Sequence, residues 1–277
     1  MITAERVSVA RAELGESPLW DTGVGLRWLD VPGRALHTIG LDGGESVVAL
    51  PETVSAVEPT TGATLLAVTA TGFALLDPDT GALTPFAAAV SQDGVAMNDA
   101  AVDPSGRCWA GSAVRDDSFR GALYRLDEHS VTMCEGGLGM SNGIDWSPSG
   151  TVMYHVDSAV GELRAHAYDP ATGDLGGRRV LRTVPATVGL PDGLTVARDG
   201  GVWLAVWGAG QVWRLDPDTG ETTEIVAVPT PHPTSCAFGG PDLGTLHVTT
   251  ARPGGHVYAA DVPAVGRLPH RFAGAGR

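Results

Sequence analysis

Six residues with oxygen-bearing side chains recur along this chain at intervals of 39 to 50 positions: Glu16, Ser55, Asn98, Asn142, Asp192 and Ser235. Each is followed, 11 or 12 residues later, by an apolar stretch centred on Trp28, Leu66, Trp109, Tyr154, Trp203 or His247. Side chains at a shared phase of a repeat converge if the repeats are arranged around an axis. Two carboxylates and two amides gathered there would cost several kcal/mol unless something neutralised them. A divalent cation does so. Glu, Asn and Asp oxygens are hard donors suited to Ca²⁺, Mg²⁺ or Mn²⁺, whereas Zn²⁺ more usually comes with His or Cys. Taken singly, Asn142-Gly143 and Asp192-Gly193 are ordinary turn dipeptides and Glu16 an ordinary surface acid. It is the shared phase that argues for a site.

The elements that must position these residues are short strands. Dividing 277 residues by six gives a period of about 46, which points to a radial repeat of small sheets. Three turns support it: Asp77-Pro-Asp-Thr-Gly, Asp169-Pro-Ala-Thr-Gly and Asp216-Pro-Asp-Thr-Gly, spaced by 92 and 47, so that one copy is missing between the first two. The 38 glycines and 19 prolines are spread between short alternating runs, and no dozen residues keep a 3.6 period free of breakers. Strands are expected at 26–31, 65–69, 108–112, 152–157, 202–206 and 245–250. A second set follows at 35–39, 73–76, 122–126, 163–168, 212–215 and 256–260, with outer edges such as 46–49 and 131–134. The expected fold is all-β, a six-bladed β-propeller forming one domain over 1–277. Residues 6–10 precede the first repeat, and are expected to close the ring as an outer strand of the last blade, near 271–273. In such a ring the six key residues lie at one rim of the central channel.

Composition excludes several functions. A net charge of −14 and a pI near 4.8, with no basic cluster, disfavour nucleic acid and anionic membranes as partners. Cys108, Cys134 and Cys236 are odd in number, lack CxxC spacing and sit in or beside apolar runs, as reduced thiols of a cytosolic protein do. Met1-Ile-Thr-Ala-Glu-Arg has no basic-then-apolar leader pattern and no run is long enough to span a bilayer, so a cytoplasmic protein is expected. His155, His166, His247 and His256 fall in strands and read as structural, while His232, in Pro-His-Pro, could overhang the channel mouth. The absence of a GxSxG elbow, a P-loop or a Cys–His pair disfavours nucleophilic serine or cysteine chemistry. Trp203, Trp207 and Trp213 read as core, and the chain as a monomer or weak homo-oligomer.

Leu-Gly-Glu16-Ser-Pro-Leu-Trp, Asn98-Asp-x-x-x-Asp-Pro-x-Gly-Arg-x-Trp-x-Gly, Ser-Asn142-Gly-x-Asp-Trp-Ser, Pro-Asp192-Gly and Thr-Ser-Cys-Ala-Phe-Gly-Gly occur in this order along the chain. Together with Gly121-Ala-Leu-Tyr-Arg-Leu-Asp and Val-Thr-Thr-Ala-Arg252, they closely resemble the regucalcin (senescence marker protein)/gluconolactonase/luciferin-regenerating enzyme family. The resemblance implies a six-bladed propeller with one divalent metal ion (Ca, Mg, Mn or Zn) held by Glu16, Asn142 and Asp192, with Asn98 on the substrate side. It also implies a small-molecule lactone as substrate, opened to a hydroxy acid, with the metal as Lewis acid and Asp192 as general base. Sugar-lactonase members carry an arginine two residues before the Asn of the Asn-Asp motif, where this chain has Ala96, and Ala100 replaces the following Gly. Losing that guanidinium weakens recognition of a polyhydroxylated ring. Arg115 is a candidate replacement. An aryl-ester or phosphotriester hydrolase and a non-catalytic Ca²⁺-binding propeller are the alternatives.

Overall fold

The computed structural model describes residues 1–90, 92–114, 116 and 118–274. Six antiparallel sheets follow one another in chain order. Blade 1 comprises Gly15–Asp21, Gly25–Asp30, Ala35–Gly40 and Glu45–Ala49, and blade 2 Val54–Pro59, Leu65–Thr69, Gly72–Leu76 and Leu83–Ala88. Blade 3 comprises Val95–Val102, Cys108–Val114, Gly121–Asp127 and Ser130–Leu138, and blade 4 Ser141–Trp146, Val152–Asp157, Glu162–Asp169 and Asp174–Thr183. Blade 5 holds Leu190–Val196, Val202–Trp207, Gln211–Leu215 and Thr222–Ala227. Blade 6 holds Pro233–Gly239, Thr245–Thr250 and Tyr258–Asp261. The first strand of each blade packs against the first strands of both neighbours, and the strand of blade 6 meets that of blade 1, so the ring is closed. This is the six-bladed β-propeller expected from the period. A 3-10 turn lies at Ser158–Val160, and among the described residues no helix is long and apolar enough to cross a membrane.

Burial explains why the strands differ in sequence. Second strands such as Leu65–Thr69 and Val202–Trp207 are sandwiched between blades and buried almost throughout, so they read as continuous apolar runs rather than as alternation. Outer strands such as Glu45–Ala49 and Asp174–Thr183 are mostly exposed and correspondingly polar. The Asp-Pro-x-Thr-Gly turns join third to fourth strands. Asp77 Oδ1 accepts the Asp79 and Thr80 amides at 2.9 and 3.1 Å, and Gly81 closes the turn at φ 76°. The copy absent from blade 3 is replaced by a tighter connection between Asp127 and Ser130.

The termini differ from the expected arrangement. Glu5–Arg6 does pair with Tyr258–Asp261, adding a fourth strand to blade 6, while Ile2–Thr3 runs parallel to the outer strand of blade 5. Residues 271–273 lie elsewhere. Phe272 N–H donates to Pro59 O at 2.8 Å and Ala273 N–H to Gly106 O at 3.0 Å, so the C-terminal segment crosses to blades 2 and 3. The reason is apolar: the Phe272 ring is fully buried there, edge-on to Phe86.

Every first strand carries an irregularity at the phase of the key residues. The pairing register shifts between Glu16 and Leu19, Val54 and Ala56, Met97 and Ala100, Ser141 and Ile144, Pro191 and Leu194, and Pro233 and Ser235. Extra residues inserted in this way re-aim side chains without ending the sheet. Asn142-Gly143 and Asp192-Gly193 are therefore bulges inside strands, not hairpin turns. Their glycines serve close approach: a Cβ on Gly143 would lie 2.6 Å from Asp192 O, and one on Gly193 would lie 2.2 Å from Ser235 Oγ. Replacing Gly143 by Ala is expected to destabilise the fold by ~1–3 kcal/mol through overpacking, read as a lowered urea midpoint with an unchanged m-value.

Candidate metal and catalytic site

Four of the six key residues are tied into one channel site. Asn98 Nδ2 donates to Asn142 Oδ1 and to Ser141 O, both at 2.8 Å. Asn142 Nδ2 donates to Ser158 Oγ at 2.8 Å, and Ser158 Oγ in turn donates to Pro191 O at 2.6 Å. Because the serine proton is committed to Pro191, its oxygen must accept from Asn142. This fixes the amide orientation, with Oδ1 toward Asn98 and one lone pair to spare. Ser158 lies on the 3-10 turn that follows the second strand of blade 4, and thereby links blades 4 and 5 behind the site.

Glu16 and Asp192 supply the charge. Burial, then the nearby Asp192 and Asp99 charges, raises the Glu16 carboxyl well above the usual range. Burial, then Asp99, does the same to Asp192. The favourable contacts to these carboxylates come from backbone N–H groups, of Ser17 and of Gly193. The chain has no lysine, and among the described residues no arginine pairs with either acid. Two enclosed carboxylates that repel one another, flanked by amide oxygens, form a hard-donor set that fits a divalent cation.

Placement by blade is less uniform than the shared phase predicts. Asn98, Asn142 and Asp192 are each the first residue of a bulge. Glu16 sits one position before its bulge, paired with Leu29, and Ser235 one position after, paired with Thr249. Ser17, at φ 49°, absorbs the offset after Glu16, and its Oγ receives the Val57 amide at 2.9 Å. Ser55 and Ser235 are not ligands of this group. Ser55 Oγ instead supports Asn98 by donating to its carbonyl oxygen at 2.7 Å, and Ser235 lines the cavity below. His232 stacks at 4.3 Å on Trp207, the strand partner of Leu190, and its Nδ1 lies 2.6 Å from Arg252 O. Arg115 lies outside the described residues.

Beneath the site the channel continues into a cavity of about 110 Å³ that sequence reasoning missed. Glu58, Asp99 and Asp145 line it, with Arg267 and His270 from the C-terminal segment as its floor. Burial pushes the Asp99 carboxyl up to about 6 and, with the Asp99 and Asp145 charges, raises Glu58 well above its usual range. Arg267 offsets part of this by donating to Asp145 Oδ1 at 3.1 Å and Trp146 O at 2.6 Å. Asp99 could have been found, since it follows Asn98 directly. Glu58 and Asp145 each stand three positions beyond a key residue, a signal visible only once the channel direction is known.

Fold and site together define a six-bladed propeller whose axial channel carries a carboxylate–amide cluster. Residues 14–252 match the family described as SMP-30/Gluconolactonase/LRE-like region, and the chain belongs to that family. It is 31% identical to the putative sugar lactone lactonase YvrE of Bacillus subtilis (strain 168), over 95% of this chain and 96% of that one. It is 33% identical to regucalcin of Danio rerio, over 90% and 87% of the two chains. The crystal structure of a calcium-binding protein, regucalcin, from Agrobacterium tumefaciens superposes with a TM-score of 0.92 at 30% identity, covering 98% and 97% of the chains. The membership supports lactonase, that is hydrolase, activity on a small molecule.

Proposed function

We propose that the protein is a metal-dependent lactonase in which Glu16, Asn142 and Asp192 hold one divalent cation and Asp192 is the general base. The observation that carries this reading is the pair of enclosed carboxylates, Glu16 and Asp192, without a cationic side-chain partner among the described residues. A cation bound there would supply Lewis-acid polarisation of the ester carbonyl. Asp192 accepts the proton of the attacking water and returns it to the ring oxygen as the C–O bond breaks, so that this oxygen departs as the hydroxyl of a hydroxy acid. Asn98, with Nδ2 committed to Ser141 and Asn142, presents Oδ1 to orient water or a substrate hydroxyl. A carboxylate beside a dication is a weakened base, so its placement matters more than its proton affinity.

The mouth favours a less polar ring than a sugar. Two positions before each key residue stand Leu14, Thr53, Ala96, Met140, Leu190 and Pro233, a set with one hydroxyl and no charge. Ala96 and Leu190 are exposed, and the Trp207–His232 stack adds a flat surface nearby. The deciding experiment is acid release from sugar, alkyl and aryl lactones by metal-stripped protein, with Ca²⁺, Mg²⁺, Mn²⁺ or Zn²⁺ restored singly. Metal-dependent turnover that prefers alkyl or aryl rings is expected. Tight metal binding without turnover of any lactone would instead favour aryl-ester or phosphotriester hydrolysis, or a binding protein. Ala96→Arg is expected to lower KM for polyhydroxylated lactones several-fold with little change in kcat, because it adds donors that bind ground and transition states alike.

A further inference from the structure

Away from the channel, at the junction of blades 3 and 4, Glu135 of the outer strand Ser130–Leu138 meets His155 and His166 of the second and third strands of blade 4. One donor atom from each lies within 4.8 Å of the other two. His155 is fully buried and His166 is 2% exposed, yet among the described residues His155 Nδ1 and His166 Nε2 have no hydrogen-bond partner. Buried polar atoms are rarely left in this state, and two imidazole nitrogens orphaned side by side point to a missing acceptor of their lone pairs.

The surroundings are arranged for coordination. Glu135 Oε1 faces the guanidiniums of Arg164, at 3.7 Å, and of Arg178, while Oε2 is turned to His166 Nε2 at 3.9 Å. The arginines thus occupy one carboxylate oxygen and leave the other. Tetrahedral zinc with bonds of about 2.0–2.1 Å holds its donors roughly 3.4 Å apart, so the 3.9 Å between Glu135 Oε2 and His166 Nε2 needs to close by about half an ångström and the widest donor pair by at most about 1.4 Å. His155 Nε2 lies 2.7 Å from Ser141 Oγ. With its proton directed there, Nδ1 carries the lone pair, which is the usual outer-shell support of a ligating imidazole. Among the described residues, Glu135, Asp157 and Glu162 pair only with Arg164 and Arg178 here, three acids against two guanidiniums.

We infer that Glu135 Oε2, His155 Nδ1 and His166 Nε2 form a second, buried metal site, selective for a borderline transition-metal dication of the Zn²⁺ class. A water completing the coordination would also accept from Arg164 Nη1, a third buried atom that, among the described residues, has an ion-pair contact to Glu135 but no hydrogen bond. Imidazole donors disfavour Ca²⁺ and Mg²⁺, so its selectivity is opposite to that of the channel set. The site ties blade 3 to blade 4 directly behind Ser141, whose carbonyl oxygen receives Asn98, and so braces the channel without joining its chemistry.

The test is Co²⁺ titration of the Asp192→Asn protein, in which the channel set is impaired, followed by visible absorption and equilibrium dialysis. One Co²⁺ per chain with a low-symmetry d–d spectrum is expected, displaced by stoichiometric Zn²⁺ and unaffected by excess Ca²⁺. Glu135→Gln and His166→Asn should each weaken uptake by at least ~10-fold. Glu135 is only partly buried, so its variant keeps the test usable if His166→Asn does not fold. No Co²⁺ uptake, or uptake indifferent to both substitutions, would overturn the inference and leave an ion-pair network. Absence of lactonase activity would not bear on it, because the readout is metal stoichiometry.

Discussion

Replacing Asp192 by Asn is expected to lower kcat for lactone hydrolysis by ~10³-fold, in the range set by loss of a positioned general base. The loss should persist at saturating metal, which separates the base from the ligand. Asn retains an oxygen of similar reach, so metal affinity falls while turnover collapses. The same substitution removes one of two carboxylates that repel each other in the channel, where Glu16 is held above its usual range by burial and then by Asp192. Metal-free Asp192→Asn protein should therefore melt at a higher temperature than metal-free wild type. Opposite movements of activity and metal-free stability are the signature of a functional charge held at a structural cost. Steady-state kinetics at several metal concentrations, with thermal melts in chelator, check both. Near wild-type kcat in Asp192→Asn would remove it as the base and shift that role to another acid of the channel, Asp99 being the one whose proton affinity is poised at about 6.

How far sequence carries is clearest at Asn142 and Glu16. Periodicity alone gave blade count, strand positions and the rim on which Asn142 sits, because a ring of equal units converts sequence interval into position around an axis. It could not give the bulges, which depend on neighbouring strands approaching closely enough that Gly143 and Gly193 must lack a Cβ. That is why Glu16 and Ser235 stand one residue off the common phase, while Ser55, itself at a bulge, turns its hydroxyl to the Asn98 carbonyl. The termini failed for a related reason. The unused run 6–10 was expected to close the ring, yet only Arg6 of it pairs with blade 6, beside Glu5, and the path of 271–273 follows from where the Phe272 ring is buried, a property of the packed interior. Glu58, Asp145 and Arg267 were hidden because their meaning lies in depth along the channel, which a one-dimensional repeat does not encode.

Stability of the protein should depend on pH and divalent metal jointly, and the sign follows from the channel acids. Glu16, Glu58, Asp99 and Asp192 all take up protons more readily folded than unfolded. A carboxyl raised in this way favours the fold fully below its ordinary range, and that advantage is lost as pH rises through the folded value. For Asp99 the window runs from its ordinary 3.8 to about 6, amounting to at most ~3 kcal/mol; the other three extend the decline upward. Metal-free protein is thus expected to become more stable on acidification from neutral pH, until groups elsewhere reverse the trend. A dication competes with these protons, so its stabilisation should be greatest at neutral and higher pH and fade toward pH ~5. At a concentration about 100-fold above Kd the gain is ~2.7 kcal/mol, which for a chain of this size corresponds to a rise in Tm of roughly 5–10 °C. Melting curves across pH, with chelator and with Ca²⁺ or Mn²⁺, measure it directly. In Glu16→Gln the metal-dependent rise should shrink to a small fraction of that in wild type, since the repulsion that the cation relieves is already gone.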